Sequence, residues 1–400
     1  MKKIIVYGIG NNCEIFLNNV DMSQFDVVAF VDKYKHGQIY RNKPVLSIEE
    51  IKNITFDKIF VTNMYYDGVL KELIEKLKID RNVIETSLDI NIKYIFPKTD
   101  NCKYVAFLNN DDYLNFIYGN MNGKNNFVAI TPLNVYDYCD YSQTVDKSEK
   151  IFIFATSWYF VTPSFFKYIK YRYPLSKFVM IFNDTIDGEL GYCNTVPNFV
   201  NSFNFVKKEF DAIFTYHKGE AKKYDIEYLP QYYPTPIKDD YKNVLEEIDV
   251  IFVGYAKNRL NLLHNVFLKL SDFGLKCKFW IVGVDEDLQI HDEGLIYNQR
   301  LKYTDYLKEV LKSKCILEVV KEGNETSLRY TEAVVYHKKL LLNDPTFYEK
   351  KYAFKENMQF FTDADSIDLT WFDLPKRDYS YDGEYLPEKF IDSLKKHFNM

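Results

Sequence analysis

Residues 315–344 read "CILEVVKEGNETSLRYTEAVVYHKKLLLND". An apolar run, a polar loop, a stretch of helical character and a second apolar run follow in that order. Two apolar runs joined through a helix make a strand–helix–strand unit. Such a unit pairs its strands in parallel, because a parallel neighbour is reached only by a crossover of about a dozen residues or more. Uninterrupted apolar character, rather than alternation, fits strands covered on both faces.

The same alternation runs outward through the chain. "KIIVYG", "VVAFVD", "KIFVTN", "YVAFLN", "FVAITP", "KIFIFAT", "KFVMIFND", "DAIFTY", "DVIFVG", "KFWIVG", "CILEVV" and "KLLLND" all read as strands with helical segments between them. The expected fold class is α/β, built of doubly wound Rossmann-like blocks. Two seams interrupt the series. One is 88–103, "LDINIKYIFPKTDNCK"; the other is 229–249, with three prolines and a charged run. Prolines and charges between apolar blocks mark linkers, so three blocks are expected, at 1–95, 100–240 and 246–400, with a ligand cleft between the last two. The closing "EYLPEKFIDSLKKHF" has the pattern of an amphipathic helix.

Composition narrows the function. The 400 residues carry a formal charge of −6, which speaks against a general nucleic-acid binder. The cysteines at 13, 102, 139, 193, 277 and 315 are scattered with no C-x-x-C pair, so neither a zinc site nor a disulfide framework is expected, and a reducing cytoplasm is the natural compartment. The opening "MKKIIVYGIGNN" breaks its apolar run too early for the roughly 7–15 residues of a signal sequence and reads as a first strand. No stretch reaches the roughly 18 apolar residues of a membrane span. The 34 tyrosines and 32 phenylalanines are expected mainly to pack.

Within the first block, Gly8 and Gly10 give G-x-G and Asp32 ends the second strand, but Cys13 stands where the dinucleotide fingerprint wants Gly or Ala. The third block is richer. Gly254 follows a strand and Arg259 lies five residues on; a guanidinium pairs with phosphate through a planar fork. In the opening stretch, Asn324 or Thr326 would cap the helix, leaving Thr326 and Ser327 beside free N–H groups, which with the helix dipole attract an anion. Arg329 adds a full charge for a diphosphate, and Glu332 offers an acceptor for ribose hydroxyls. The competing possibility is an ordinary i,i+3 surface pair between these two.

The segments "FVGYAKNR", "FWIVG", "IYNQRLKYTDYLKEVLKSKCILEVV" and "GNETSLRYTEAVVYHKKLLLND" together resemble the donor half of GT-B-fold glycosyltransferases, above all those that build bacterial capsule, exopolysaccharide or lipopolysaccharide. The resemblance covers roughly 100–400 and is clearest over 246–344. It implies that blocks two and three form a GT-B-type pair: an acceptor-side domain at 100–240 and a nucleotide-sugar donor domain at 246–400. It also implies that Glu332 holds the ribose, Arg329 the phosphates, and Tyr297 and Asn298 the base. Retaining members carry a second glutamate eight positions before the ribose glutamate; here Asn324 stands there, and the stereochemistry stays open. The first block, through "GIGNN…AFVDKYKHGQIYRNKPV", resembles the small Rossmann-like domain that begins some bacterial sugar-modifying enzymes.

The implied reaction moves a sugar from a nucleotide-diphosphate donor to a glycan or lipid-linked acceptor, with the chain in the cytoplasm or in peripheral contact with the inner membrane face. A base must take the acceptor proton. Asp111, Asp112, Asp184 and His217, which follow strands of the second block, are the candidates. Asp285 with Asp287, and Asp363 with Asp365, have metal-binding spacing, but a donor helix with its own cation needs no metal, so neither metal nor cofactor is expected. The alternatives are an NAD(P)-dependent sugar-nucleotide oxidoreductase or epimerase, and a non-catalytic scaffold of a polysaccharide assembly complex.

Overall fold

The computed structural model describes residues 1–63, 66–108, 112–131, 133, 145–155, 163–183, 185–186, 203–233, 244–320 and 328–400. Three six-stranded sheets organise them. The first holds β1 (Lys2–Tyr7), β2 (Phe25–Val31), β3 (Ile39–Tyr40), β4 (Lys43–Leu46), β5 (Lys58–Val61) and β6 (Ile84–Thr86), in the order β3-β4-β2-β1-β5-β6. The second holds β7 (Tyr104–Leu108), β8 (Phe127–Ile130), β9 (Ile151–Ala155), β10 (Lys177–Phe182), β11 (Ala212–Thr215) and β12 (Glu227–Tyr228), ordered β12-β11-β10-β9-β7-β8. The third holds β13 (Ile248–Tyr255), β14 (Cys277–Val282), β15 (Leu295–Tyr297), β16 (Ser313–Glu318), β17 (Lys339–Leu342) and β18 (Met358–Phe360), ordered β15-β14-β13-β16-β17-β18.

Every described strand pair is parallel except β3 with β4, whose two-residue linker, Arg41–Asn42, turns through positive φ. The doubly wound α/β class expected from the sequence is what forms, in three Rossmann-like sheets. Each starts at an inner strand, winds to one edge and returns to the other side. The reversal falls between β1 and β5, between β7 and β9, and between β13 and β16. At such a switch point the loops leave in opposite directions and open a crevice at the carboxyl ends.

The chain divides into two compact units, 1–228 and 229–400. The first contains two sheets, and one apolar cluster runs through both, with Phe25, Phe60, Phe96, Phe107 and Phe152 all buried. The stretch 88–103 is largely helical: Pro97 opens a 3₁₀ turn, where its missing N–H costs nothing, and Ile90, Ile95 and Phe96 are buried. In the second unit, the core over the third sheet gathers Val250, Phe252, Phe267, Phe279 and Leu317. The chain's last helix, Glu388–His397, buries Phe390, Ile391 and Leu394 on one face, as its pattern predicts.

Candidate functional site

The switch point of the third sheet gathers the charged side chains that the sequence singles out. β13 ends at Gly254 and Tyr255, and β16 ends at Glu318. Two arginines reach across these two strand ends. Arg329, the second residue of the helix Leu328–Val335, pairs with Glu318 at 3.2 Å and donates to the carbonyl of Val253. Arg259, at the N-cap of the helix Leu260–Asp272, donates to the carbonyl of Val319 and, at 2.6 Å, to that of Tyr255. Both guanidiniums lie by the Phe252 ring, their Cζ atoms 5.6 Å (Arg329) and 6.0 Å (Arg259) from its centroid.

Gly254 makes the crowding possible. A Cβ there would stand 3.1 Å from Phe252 Cζ and 3.3 Å from Arg329 Nη2, so the space a side chain would take is filled by the arginine. The i,i+3 pair between Arg329 and Glu332 is not what forms; the arginine's carboxylate partner is Glu318, on a strand. Burial works hardest against the charge of Arg329, but Glu318, Tyr306 and Glu332 together outweigh it and raise the guanidinium above its ordinary value. For Arg259, burial first and then the like charge of Arg329 push the other way. Arg259 accordingly leans on carbonyl oxygens, and its Nε is buried with no acceptor among the described residues. The helix it opens has no side-chain cap. Among the described residues, two guanidiniums and the buried carboxylate of Glu318 thus meet at this strand end, beside a helix start with no side-chain cap.

Glu332 takes a different place. It is 1% exposed, and its two oxygens accept from Tyr303 Oη at 2.6 Å and Tyr306 Oη at 2.5 Å. Both tyrosines belong to the helix Tyr303–Leu311. Tyr303 Oη lies 2.9 Å from Tyr233 Oη, which lies 3.1 Å from Tyr336 Oη. Burial raises the carboxyl of Glu332 above its ordinary range, and the phenol donors oppose the rise.

Tyr297 and Asn298 are also engaged internally. Tyr297 Oη is 2.9 Å from His264 Nε2 and accepts from the N–H of Ile290. Asn298 adopts φ 58°, and its Oδ1 accepts from the N–H groups of Gly283 and Val284 while its Nδ2 donates to the Val284 carbonyl. Thr326, Ser327 and Asn324 lie outside the described residues. So do Asp111 and Asp184 among the candidate bases. Asp112 is exposed at the start of the helix Asp112–Gly119, and His217 is the N-cap of Lys218–Tyr224. They follow β7 and β11, with β9 and β10 between, which puts those strands roughly 14 Å apart. The structure does not bring these two together.

At the carboxyl end of the first sheet, Gly8 turns at φ 92°. Asp32 spends its carboxylate on the N–H groups of Ile9, Tyr34 and Lys35, Cys13 is fully buried, and Glu14 occupies the first turn of the helix Asn11–Asn19, paired with Tyr40 and Arg41.

Residues 1–85 match the family model described as C2185-like, N-terminal. No curated protein matches the chain. Among solved structures, the chain is similar to the DNA-modifying enzyme β-glucosyltransferase, at 14% identity and a TM-score of 0.40, over 74% of this chain and all of that one. It is similar to TarM at 10% identity and 0.41, over 100% and 99% of the two chains. A third likeness is to the UDP-GlcNAc 2-epimerase of Neisseria meningitidis, at 11% identity and 0.37, over 99% and 100%. Likeness at this level says nothing of substrate.

Proposed function

We propose that the third sheet binds the diphosphate of a nucleotide sugar, and that the protein is a glycosyltransferase passing the sugar to a hydroxyl acceptor. The observation that carries this is the pair of guanidiniums, Arg259 and Arg329, gathered on Phe252 at the β13/β16 switch point beside an uncapped helix start. In the reaction, the bond from the anomeric carbon to the diphosphate breaks as the acceptor oxygen bonds to that carbon, and the acceptor proton passes to a base. Negative charge grows on the departing diphosphate, where fixed cations stabilise it most. A glycan or lipid-linked acceptor, and a place in bacterial surface polysaccharide synthesis, are supported by the sequence resemblance alone.

The test is calorimetric titration of nucleotide sugars and nucleoside diphosphates into the full chain. Arg259 is the cleaner probe, because its acceptors are backbone carbonyls. Arg259→Ala is expected to weaken binding about ten- to a hundredfold, the worth of a charge-assisted contact of about 1.5–3 kcal/mol. Arg259→Lys recovers part of it, since a point charge replaces a planar fork. Arg329→Ala also strands Glu318, a loss of about 3–5 kcal/mol of stability, so it is paired with Glu318→Gln. Parent-like affinity in Arg259→Ala would remove the basis of the proposal.

A further inference from the structure

We propose that Tyr255 and Arg300 form the stacking platform for the nucleobase of the donor, an inference that rests on the arginine pair holding the diphosphate. Tyr255 is the last residue of β13 and is 44% exposed, although the strand's middle, Val250–Phe252, is buried. An aromatic ring left open at the carboxyl end of the sheet's central strand is placed where ligands of such sheets bind. The Arg300 guanidinium lies 5.3 Å from the centroid of this ring. On the neighbouring strand end, Gly283 turns at φ 78°, and a Cβ there would stand 3.6 Å from Tyr255 Cδ1. That is ordinary van der Waals distance, so the ring lies against the turn after β14.

Platform and anion site are joined through one residue, because the Tyr255 carbonyl accepts from Arg259 at 2.6 Å. A nucleoside diphosphate needs an anion site and a planar face within a ribose's reach, and this end of the sheet supplies both. Tyr297 and Asn298, nominated for the base by resemblance, are spent on His264, Ile290 and the Gly283–Val284 turn. Stacking on an aromatic ring or a guanidinium accepts any base, since every base has a π-face. The platform therefore supplies affinity with little choice among bases.

The experiment titrates UDP, GDP and inorganic pyrophosphate separately into the full chain and into Tyr255→Ala, Tyr255→Phe, Arg300→Ala and Arg259→Ala. Tyr255→Ala is expected to weaken UDP and GDP alike, by about tenfold to a hundredfold, and to leave pyrophosphate unchanged. Tyr255→Phe keeps the ring and should bind as the parent does; Arg300→Ala should lose part of the nucleotide affinity. Parent-like binding of UDP by Tyr255→Ala overturns the platform. So does a loss confined to the complete nucleotide sugar, which would put the sugar on the ring. If the parent binds neither pyrophosphate nor either nucleotide, the diphosphate reading fails and the platform with it. If Arg259→Ala weakens all three ligands and Tyr255→Ala none, the platform alone fails.

Discussion

Glu332 holds a carboxylate at a place water does not reach. Burial raises its proton affinity above the unfolded value, so between the ordinary glutamate range and that raised value the native state binds more protons than the unfolded chain. This contribution to stability is complete below the ordinary value and is lost as pH rises through the folded one. Glu332→Gln removes the proton exchange. Melting of parent and variant, compared from pH 4.5 upward, is expected to show the parent losing stability relative to the variant, at no more than about 1.4 kcal/mol per pH unit. A constant difference across that range would mean that Glu332 is not buried as described. The sequence marked Arg329 and Glu332 as neighbours on one helix, and they are. It gave no sign of Glu318, Tyr303 or Tyr306 as their partners, because those contacts are made between elements rather than along a helix face. Tyr255 was hidden for a different reason: among 34 tyrosines, an exposed one looks like the rest until its strand end is known.

At the scale of elements, all twelve apolar runs read as strands are strands. Those left unread are the short ones, Ile39–Tyr40, Lys43–Leu46, Ile84–Thr86, Glu227–Tyr228, Leu295–Tyr297 and Met358–Phe360. All six lie at or next to a sheet edge, five of them paired on one side only, so they need no long apolar run and leave none in the sequence. β15 shows how such a strand is fixed: the residue after it, Asn298, ties it to the turn after β14 through three side-chain hydrogen bonds, at positive φ. Asn298→Ala loses these bonds and keeps the unfavourable φ, for an expected loss of about 1–3 kcal/mol at this exposed position. Asn298→Gly relieves the φ component alone. Urea unfolding is expected to rank the parent above Asn298→Gly and Asn298→Ala last; equal midpoints for Ala and Gly would assign the whole effect to the side-chain bonds.

At the scale of the molecule, each compact unit should report its own events. In unit 1–228 the first two sheets are stitched by polar as well as apolar contacts. Asn91, fully buried, donates to the Leu133 carbonyl at 3.2 Å and accepts from the Leu133 N–H at 3.3 Å, and Asn19 donates to the Thr131 carbonyl at 3.1 Å. The asparagine at 91 looked like part of a polar seam in the sequence; its two bonds to a backbone more than 40 residues on could not be read from local pattern. Asn91→Leu leaves a buried N–H and a buried carbonyl without their partner, at about 1–3 kcal/mol for each group. Calorimetry of the full chain is therefore expected to show two transitions, with Asn91→Leu lowering that of unit 1–228 and leaving the other in place. A nucleoside diphosphate should do the converse. On the proposed function it binds only folded 229–400 and so is expected to raise that transition, by about 2.7 kcal/mol when present at a hundred times its dissociation constant. If the nucleotide instead raises the transition that Asn91→Leu lowers, the ligand sits on the first or second sheet, and the arginines at the β13/β16 switch point hold something other than a donor diphosphate.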